Sequence, residues 1–348
     1  MKKIFSAMLT TIITICLFGS ITLAANMELL GAGATFPLPL YTKMFDTYNQ
    51  KTGVKVNYQG VGSGAGITQL TNKTVDFGAT DTFMTDDEIK KAGADVLHIP
   101  VALGAVVLTY NLPGSPKLKL SSNVIADIFL GKITQWNDSK IAADNPGASL
   151  PDMNITVVHR SDGSGTTFIF TDYLSKISPE WKSGPGTGKS LNWPTGLGAK
   201  GNPGVAGLIK QLPGSFGYVE LIYAMQNNMP VASVKNKSGV YVEPTIKSTS
   251  AAANVSMPAD TRASITDTTA KNGYPISGFT WIIIYKDQKY GNKDKEKADA
   301  TLKLLWWMTH EGQSLAEPLQ YAPLPKDAAV KAETILKSAV YGNAKILK

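Results

Sequence analysis

Residues 54–81, VKVNYQGVGSGAGITQLTNKTVDFGATD, carry the pattern that decides the fold. Val54, Val56 and Tyr58 alternate as strand residues do, Gly60 to Gly66 form a glycine-rich turn, and Ile67 and Leu70 stand at helical spacing. Thr74 to Ala79 then reads as a short buried strand. Upstream, Tyr41, Met44, Phe45 and Tyr48 recur at helical spacing after Pro37, a residue suited to a first helical turn. Downstream, Thr85-Asp86-Asp87-Glu88 fits a capping box, and two extended stretches follow at 96–102 and 105–112.

The alternation continues. Ser122 is placed to cap a helix bearing Val124, Ile125, Ile128 and Phe129 that stops at Gly131, and Ile155 to Val158 is a strand leading into Asp162-Gly163-Ser164-Gly165-Thr166. Phe168, Phe170, Tyr173 and Leu174 suggest a helix starting there. Residues 183–204, rich in Gly, Pro, Lys and Ser, read as a long surface loop, followed by a helix through Val205, Leu208, Ile209 and Leu212. Residues 226–273 are polar with weak periodicity; strand 280–285, a helix bearing Leu302, Leu305, Trp306 and Met308, and an amphipathic segment at 328–336 restore the pattern. Repeated αβ alternation implies mostly parallel sheets flanked by helices.

Composition narrows the functional classes. With 348 residues, 43% apolar and 18% charged, the chain is ordinary globular material of a size for two domains. Cys16 is its single cysteine and His98, His159 and His310 are far apart, so no disulfide framework, paired-cysteine redox motif or Cys/His zinc site is available. A net charge of +7 without any block of five or six Lys/Arg gives no nucleic-acid stripe, and the mixed-sign stretch 286–297 reads as a solvated turn and helix face. Met1-Lys2-Lys3, the apolar run at 8–18 and Thr22-Leu23-Ala24 read as a secretory signal over residues 1–24, too short to span a bilayer. Export to the periplasm is the expectation.

Three segments set small, flexible residues before an expected helix: Gly31-Ala32-Gly33-Ala34-Thr35-Phe36-Pro37, Gly60-Val61-Gly62-Ser63-Gly64 and Asp162-Gly163-Ser164-Gly165-Thr166. A first helical turn leaves N–H groups unpaired at the positive dipole end, and the hydroxyls of Thr35, Ser63, Ser164 and Thr166 add donors. One such turn is an ordinary N-cap; three, beside Arg160, suggest anion cradles. Residues 183–190, SGPGTGKS, nearly match a P-loop, but Ser183 replaces the first glycine, no strand precedes them and Trp193-Pro194 interrupts the required helix. Gly60-x-Gly62-x-x-Ala65 with Asp81 downstream matches a loose dinucleotide fingerprint, an alternative that leaves the other two turns without a role. No nucleophile elbow or metalloprotease helix is present, so a secreted phosphate-transferring or phosphate-hydrolysing enzyme is the minority reading and no catalytic residue is named.

GAGATFP at 31–37, NYQGVGSGAG at 57–66, VDFGATD at 75–81, LGKITQWND at 130–138, HRSDGSGTTFIFTDYL at 159–174, WPTGLGAKGNPGV at 193–205 and LPGSFGYVE at 212–220 resemble the phosphate-binding protein of the bacterial high-affinity phosphate ABC transporter. The resemblance runs in order through nearly the whole chain after the signal, weakest at 226–273 and the C-terminus. It implies a two-lobe periplasmic binding protein of type II-like α/β fold, with crossover strands and the ligand in the inter-lobe cleft. One lobe would comprise 25–102 plus 274–348 and the other 103–273. Phosphate would be the ligand and a membrane-embedded ABC permease the partner, with no cofactor or metal, and a monomer is expected. Carried over position by position, the contacts would be Ala34, Thr35, Phe36, Ser63 and Asp81 from the first lobe and Arg160, Ser164, Gly165 and Thr166 from the second, with Asp162 orienting Arg160. Gly64, Ala65 and His159 depart from the family's usual residues beside these positions.

The chemistry fits that expectation. Uncharged N–H and O–H donors offset a buried anion's lost hydration, each bond to a charged group being worth about 1.5–3 kcal/mol. A carboxylate at Asp81 would repel the anion unless one ligand oxygen carried a proton for it to accept. Phosphate at neutral pH keeps such a proton and sulfate does not, so Asp81 reads as a discriminator between the two.

Overall fold

The computed structural model describes residues 27–348; the expected signal at 1–24 lies outside them. Its strands as far as Tyr285 are β1 (Glu28–Gly33), β2 (Lys55–Gly60), β3 (Phe77–Thr80), β4 (Val96–Tyr110), β5 (Lys119–Leu120), β6 (Thr156–Arg160), β7 (Leu197–Ala199), β8 (Ser215–Glu220), β9 (Ser233–Lys235), β10 (Tyr241–Val242) and β11 (Ser277–Tyr285). Eight of them form one sheet in the order β2-β1-β3-β11-β4-β8-β6-β7. The outer pairs of each half run parallel, β2-β1-β3 on one side and β8-β6-β7 on the other, while β11 and β4 pair antiparallel with their neighbours in the middle. The sheet is therefore mixed, its antiparallel pairs confined to the strands that link the halves.

Strand β4 corrects the expectation of two separate extended stretches: residues 96–110 are one continuous strand. Residues 96–105 pair with β11, then 106–110 pair with β8, so one strand belongs to both halves. The return crossing lies beside it, where the Val106 N–H donates to the Ile276 carbonyl and Ser277 faces Ala105. Pro100 has no N–H to give to the ladder, and the register slips opposite it, between Thr280 and Trp281. The slip falls at the threonine that reaches the site described below.

The nine helices needed here are α1 (Leu38–Thr52), α2 (Ser63–Thr71), α3 (Asp86–Ala92), α4 (Ser122–Phe129), α5 (Ser139–Asp144), α6 (Gly165–Ile177), α7 (Pro179–Ser183), α8 (Gly201–Gln211) and α9 (Leu221–Gln226). Helix α1 buries Leu40, Tyr41, Met44, Phe45 and Tyr48 as their spacing predicts, and it stops at Gly53, whose φ of 77° suits only glycine without strain. The Thr85–Glu88 capping box opens α3 as read from the sequence. Helix α2 packs so tightly on β1 that a Cβ on Gly66 would lie 2.6 Å from the Gly33 Cα, which is why the turn is glycine-rich.

Other expectations are corrected. Strand β3 begins at Phe77 rather than Thr74, and Ser121, not Ser122, holds the N-cap position of α4. The stretch 183–204 is not simply a loop. Leu197–Ala199 adds the parallel edge strand β7, and α8 already begins at Gly201, with Asn202 fully buried. In 286–297, Lys293 is buried rather than solvated, donating to Gln288 Oε1 (2.6 Å) beside Asp76. The weakly periodic stretch 226–273 contains β9, β10 and a short helix at Ile246–Ala252.

Candidate functional site

The three turns follow the carboxyl ends of β1 and β2 in one half and of β6 in the other, where α1, α2 and α6 start, and Asp81 joins them from the end of β3. In open α/β sheets this is the crevice where ligands bind. Gly64 N–H donates to the Gly163 carbonyl across the cleft at 2.8 Å, so the two turns touch through their backbones. Gly165 approaches closer still: a Cβ there would lie 2.6 Å from both the Asp81 Cβ and the Ser63 Oγ. Only glycine permits that contact.

Ser63 is wholly buried at the first position of α2. Its Oγ accepts from Asp81 N–H (3.2 Å) and from Gly165 N–H (3.1 Å) and lies 3.4 Å from Asp81 Oδ2. Asp81, just past β3, also accepts from the Thr280 hydroxyl at 2.8 Å. Burial pushes its carboxyl up to about 7, against the lowering pull of the Thr280 hydrogen bond, the Arg160 charge and the Ser63 hydroxyl.

Arg160, the last residue of β6, makes a two-pronged pair with Asp162: Nε to Oδ1 at 2.7 Å and Nη2 to Oδ2 at 2.5 Å. Burial works to raise the Asp162 carboxyl, but the hydrogen bond and charge of Arg160, with the Gly201 N–H, hold it below the usual range. Fork-to-fork geometry fixes the guanidinium plane, and Nη1 is left facing Thr166 Oγ1 at 3.3 Å. The buried guanidinium is thus held in one orientation by its pair with Asp162.

Thr35 and Phe36 follow β1. Their carbonyls accept from the Tyr223 and Tyr321 hydroxyls respectively, which pins the turn, and no hydrogen bond engages their N–H groups among the described residues. Ala34 differs: its N–H donates to Ala79 and its carbonyl accepts from Tyr58, so its polar groups are engaged within the fold. Ser164 caps α6, accepting from Thr167 N–H at 3.0 Å. The structure therefore gathers every expected residue at one cleft, with Ala34 and Ser164 also bonded locally.

The sequence gives no sign of the parts taken by Thr280, Tyr223, Tyr321 and Asn202. Asn202 stands between Gly201 and Pro203, which read as loop residues, yet it lies in the first turn of α8. It is wholly buried, and its side chain reaches Thr35 Oγ1 and Thr166 Oγ1 from opposite sides of the cleft. The near-P-loop lysine has another role: Lys189 pairs with Glu88 across the cleft. Among the described residues, no group of three His, Cys, Asp or Glu side chains could hold a metal ion.

Fold and cleft together define a two-lobe binding protein of the periplasmic type. Residues 20–311 match the model of the PBP superfamily domain. The chain is 44% identical over 315 residues to the phosphate-binding protein PstS of Xylella fastidiosa strain Temecula1, covering 88% of this chain and 84% of the relative. It is 42% identical over 330 residues to PstS of Pasteurella multocida, covering 93% and 94%. A solved phosphate-binding protein from Stenotrophomonas maltophilia shares the fold with a TM-score of 0.68 at 18% identity, over 88% of this chain and 93% of that one. The chain belongs to the PstS family of phosphate-binding proteins within the PBP superfamily.

Proposed function

We propose that the protein binds inorganic phosphate with high affinity in the periplasm and delivers it to the permease of an ABC transporter, without catalysing a reaction. The observation that carries this reading is the meeting of Ser63, Asp81 and Thr35 with Arg160, Gly165 and Thr166 in one buried cleft. The names of the relatives support the ligand, and among the described residues no helix is long and apolar enough to cross a membrane.

In this reading residues 25–102 and 274–348 form one lobe and 103–273 the other, hinged where β4 changes partner. The N–H groups of Thr35 and Phe36 and the hydroxyls of Thr35, Ser63, Ser164 and Thr166 donate to phosphate oxygens. Arg160, oriented by Asp162, supplies the positive charge; Ala34 shapes the turn, and Gly165 lets the lobes meet. Asp81 accepts the proton that phosphate carries. A ligand touching both lobes favours the closed form by its differential affinity, so the permease can read occupancy from shape.

Calorimetry on phosphate-stripped protein tests this. Micromolar or tighter binding, roughly −8 kcal/mol or better, is expected for phosphate at neutral pH and far weaker binding for sulfate. No heat with either anion would overturn the assignment. Hydrolysis of a chromogenic phosphomonoester by the purified protein would favour an enzyme instead.

A further inference from the structure

Among the described residues, Asn202 alone touches Thr35 of one half and Thr166 of the other with the same side-chain nitrogen, and its backbone N–H and side-chain oxygen are bonded as well. Its orientation follows from its neighbours. The Glu220 backbone N–H, a donor, approaches one side-chain atom at 2.9 Å, so that atom is the oxygen Oδ1. The amide nitrogen Nδ2 is thereby turned to the threonines, 3.1 Å from Thr35 Oγ1 and 3.0 Å from Thr166 Oγ1. The Asn202 backbone N–H also donates to Thr35 Oγ1, at 3.1 Å.

A hydroxyl oxygen has two lone pairs and one hydrogen. Thr35 Oγ1 receives two N–H groups, both from Asn202. Thr166 Oγ1 receives one from Asn202 and one from Arg160 Nη1. With their acceptor capacity filled, each hydroxyl can only donate. A hydroxyl free to rotate would present an anion with a lone pair as readily as a hydrogen; these two cannot.

We infer that Asn202 is a positioning residue that sets the threonine hydroxyls of both lobes as obligate donors to the bound oxyanion, and does so fully only when the lobes have closed. This inference rests on the phosphate-binding reading. Because Nδ2 is shared between the lobes, closure and donor polarity arise in the same step. An open cleft holds Thr166 beside Asn202 but leaves the Thr35 hydroxyl without either N–H.

The test is a mutant cycle on phosphate-stripped protein, read by calorimetry. Asn202→Ala is expected to weaken phosphate binding about 10- to 100-fold. In a background already carrying Thr35→Val and Thr166→Val, which removes the hydroxyls, the same substitution should cost less than about threefold. A purely architectural role would give equal losses in both backgrounds, and that result overturns the inference, as does an unchanged affinity in Asn202→Ala. If Asn202→Ala does not fold, Asn202→Asp serves, because it keeps the acceptor for Glu220 N–H while offering the threonines an acceptor in place of a donor. Its loss should likewise shrink in the double-valine background, and a loss of undiminished size there overturns the inference. Failure of wild-type protein to bind phosphate would be a failure of the functional reading instead, and appears before any variant is compared.

Discussion

The Thr280 hydroxyl donates to Asp81 Oδ1 at 2.8 Å, from the point where β11 slips its register against β4. The strand that brings the chain back into the first half thus also holds the acidic side chain at the cleft. This bond engages Oδ1, and the Ser63 hydroxyl donates to Oδ2 at 3.4 Å, so both carboxylate oxygens are held in place.

Asp81→Asn replaces one carboxylate oxygen with an N–H donor. It should weaken phosphate binding less than it weakens the preference for phosphate over sulfate. Titration calorimetry with both anions at pH 8 checks this, and an unchanged ratio contradicts the role assigned to Asp81.

Selectivity should also depend on pH, because burial holds the Asp81 carboxyl up to about 7. Above that value the ionised side chain repels sulfate; below it the protonated side chain can donate to either anion. The phosphate-to-sulfate affinity ratio is therefore expected to narrow as pH falls from 8 to 6 in wild type and to stay flatter in Asp81→Asn.

The same titration affects stability without ligand. The folded state holds the Asp81 proton over a range in which the unfolded chain, with a carboxyl near 4, has lost it. Its contribution is complete below about pH 4 and lost as pH rises through about 7. Between those limits the melting temperature of Asp81→Asn should rise relative to wild type, which scanning calorimetry at fixed ionic strength would show.

Gly165→Ala places a methyl group 2.6 Å from the Ser63 Oγ and the Asp81 Cβ. Overpacking of this kind costs about 1–3 kcal/mol, and here the lobes relieve it by staying apart. Phosphate affinity should fall about 10- to 100-fold on the same scale, and small-angle scattering with phosphate should give a larger radius of gyration than wild type. Equal compaction would show that closure does not need the glycine.

Glu88 and Lys189 pair across the cleft with about a quarter of each side chain exposed. Such a pair contributes no more than about 1 kcal/mol. Glu88→Gln should speed phosphate release by less than about fivefold, in stopped-flow measurements, with the difference shrinking at high salt.

Much of this was legible in the sequence because the relevant signals are local. The apolar spacing of α1, the capping box of α3 and the three glycine turns each depend on a few adjacent residues. The sequence reads as two stretches around a gap at Leu103-Gly104, whereas the continuity of β4 comes from pairing with β11 and β8, both distant in sequence. Strand β7 has three residues and exists through its neighbour β6. Lys293 looked solvated because charged residues surround it in sequence, and only the fold brings Asp76 and Gln288 to it. The contacts expected from the resemblance share one cleft, but Thr280 and Asn202 act from positions 199 and 167 residues away from Asp81 and Thr35. No local pattern announces a partner at that separation.

A fifteen-residue strand hydrogen-bonded in both lobes makes β4 a leaf spring rather than a pin. Because its ladders run unbroken from one half into the other, any rotation between the halves is spread along the ribbon instead of falling on a single residue.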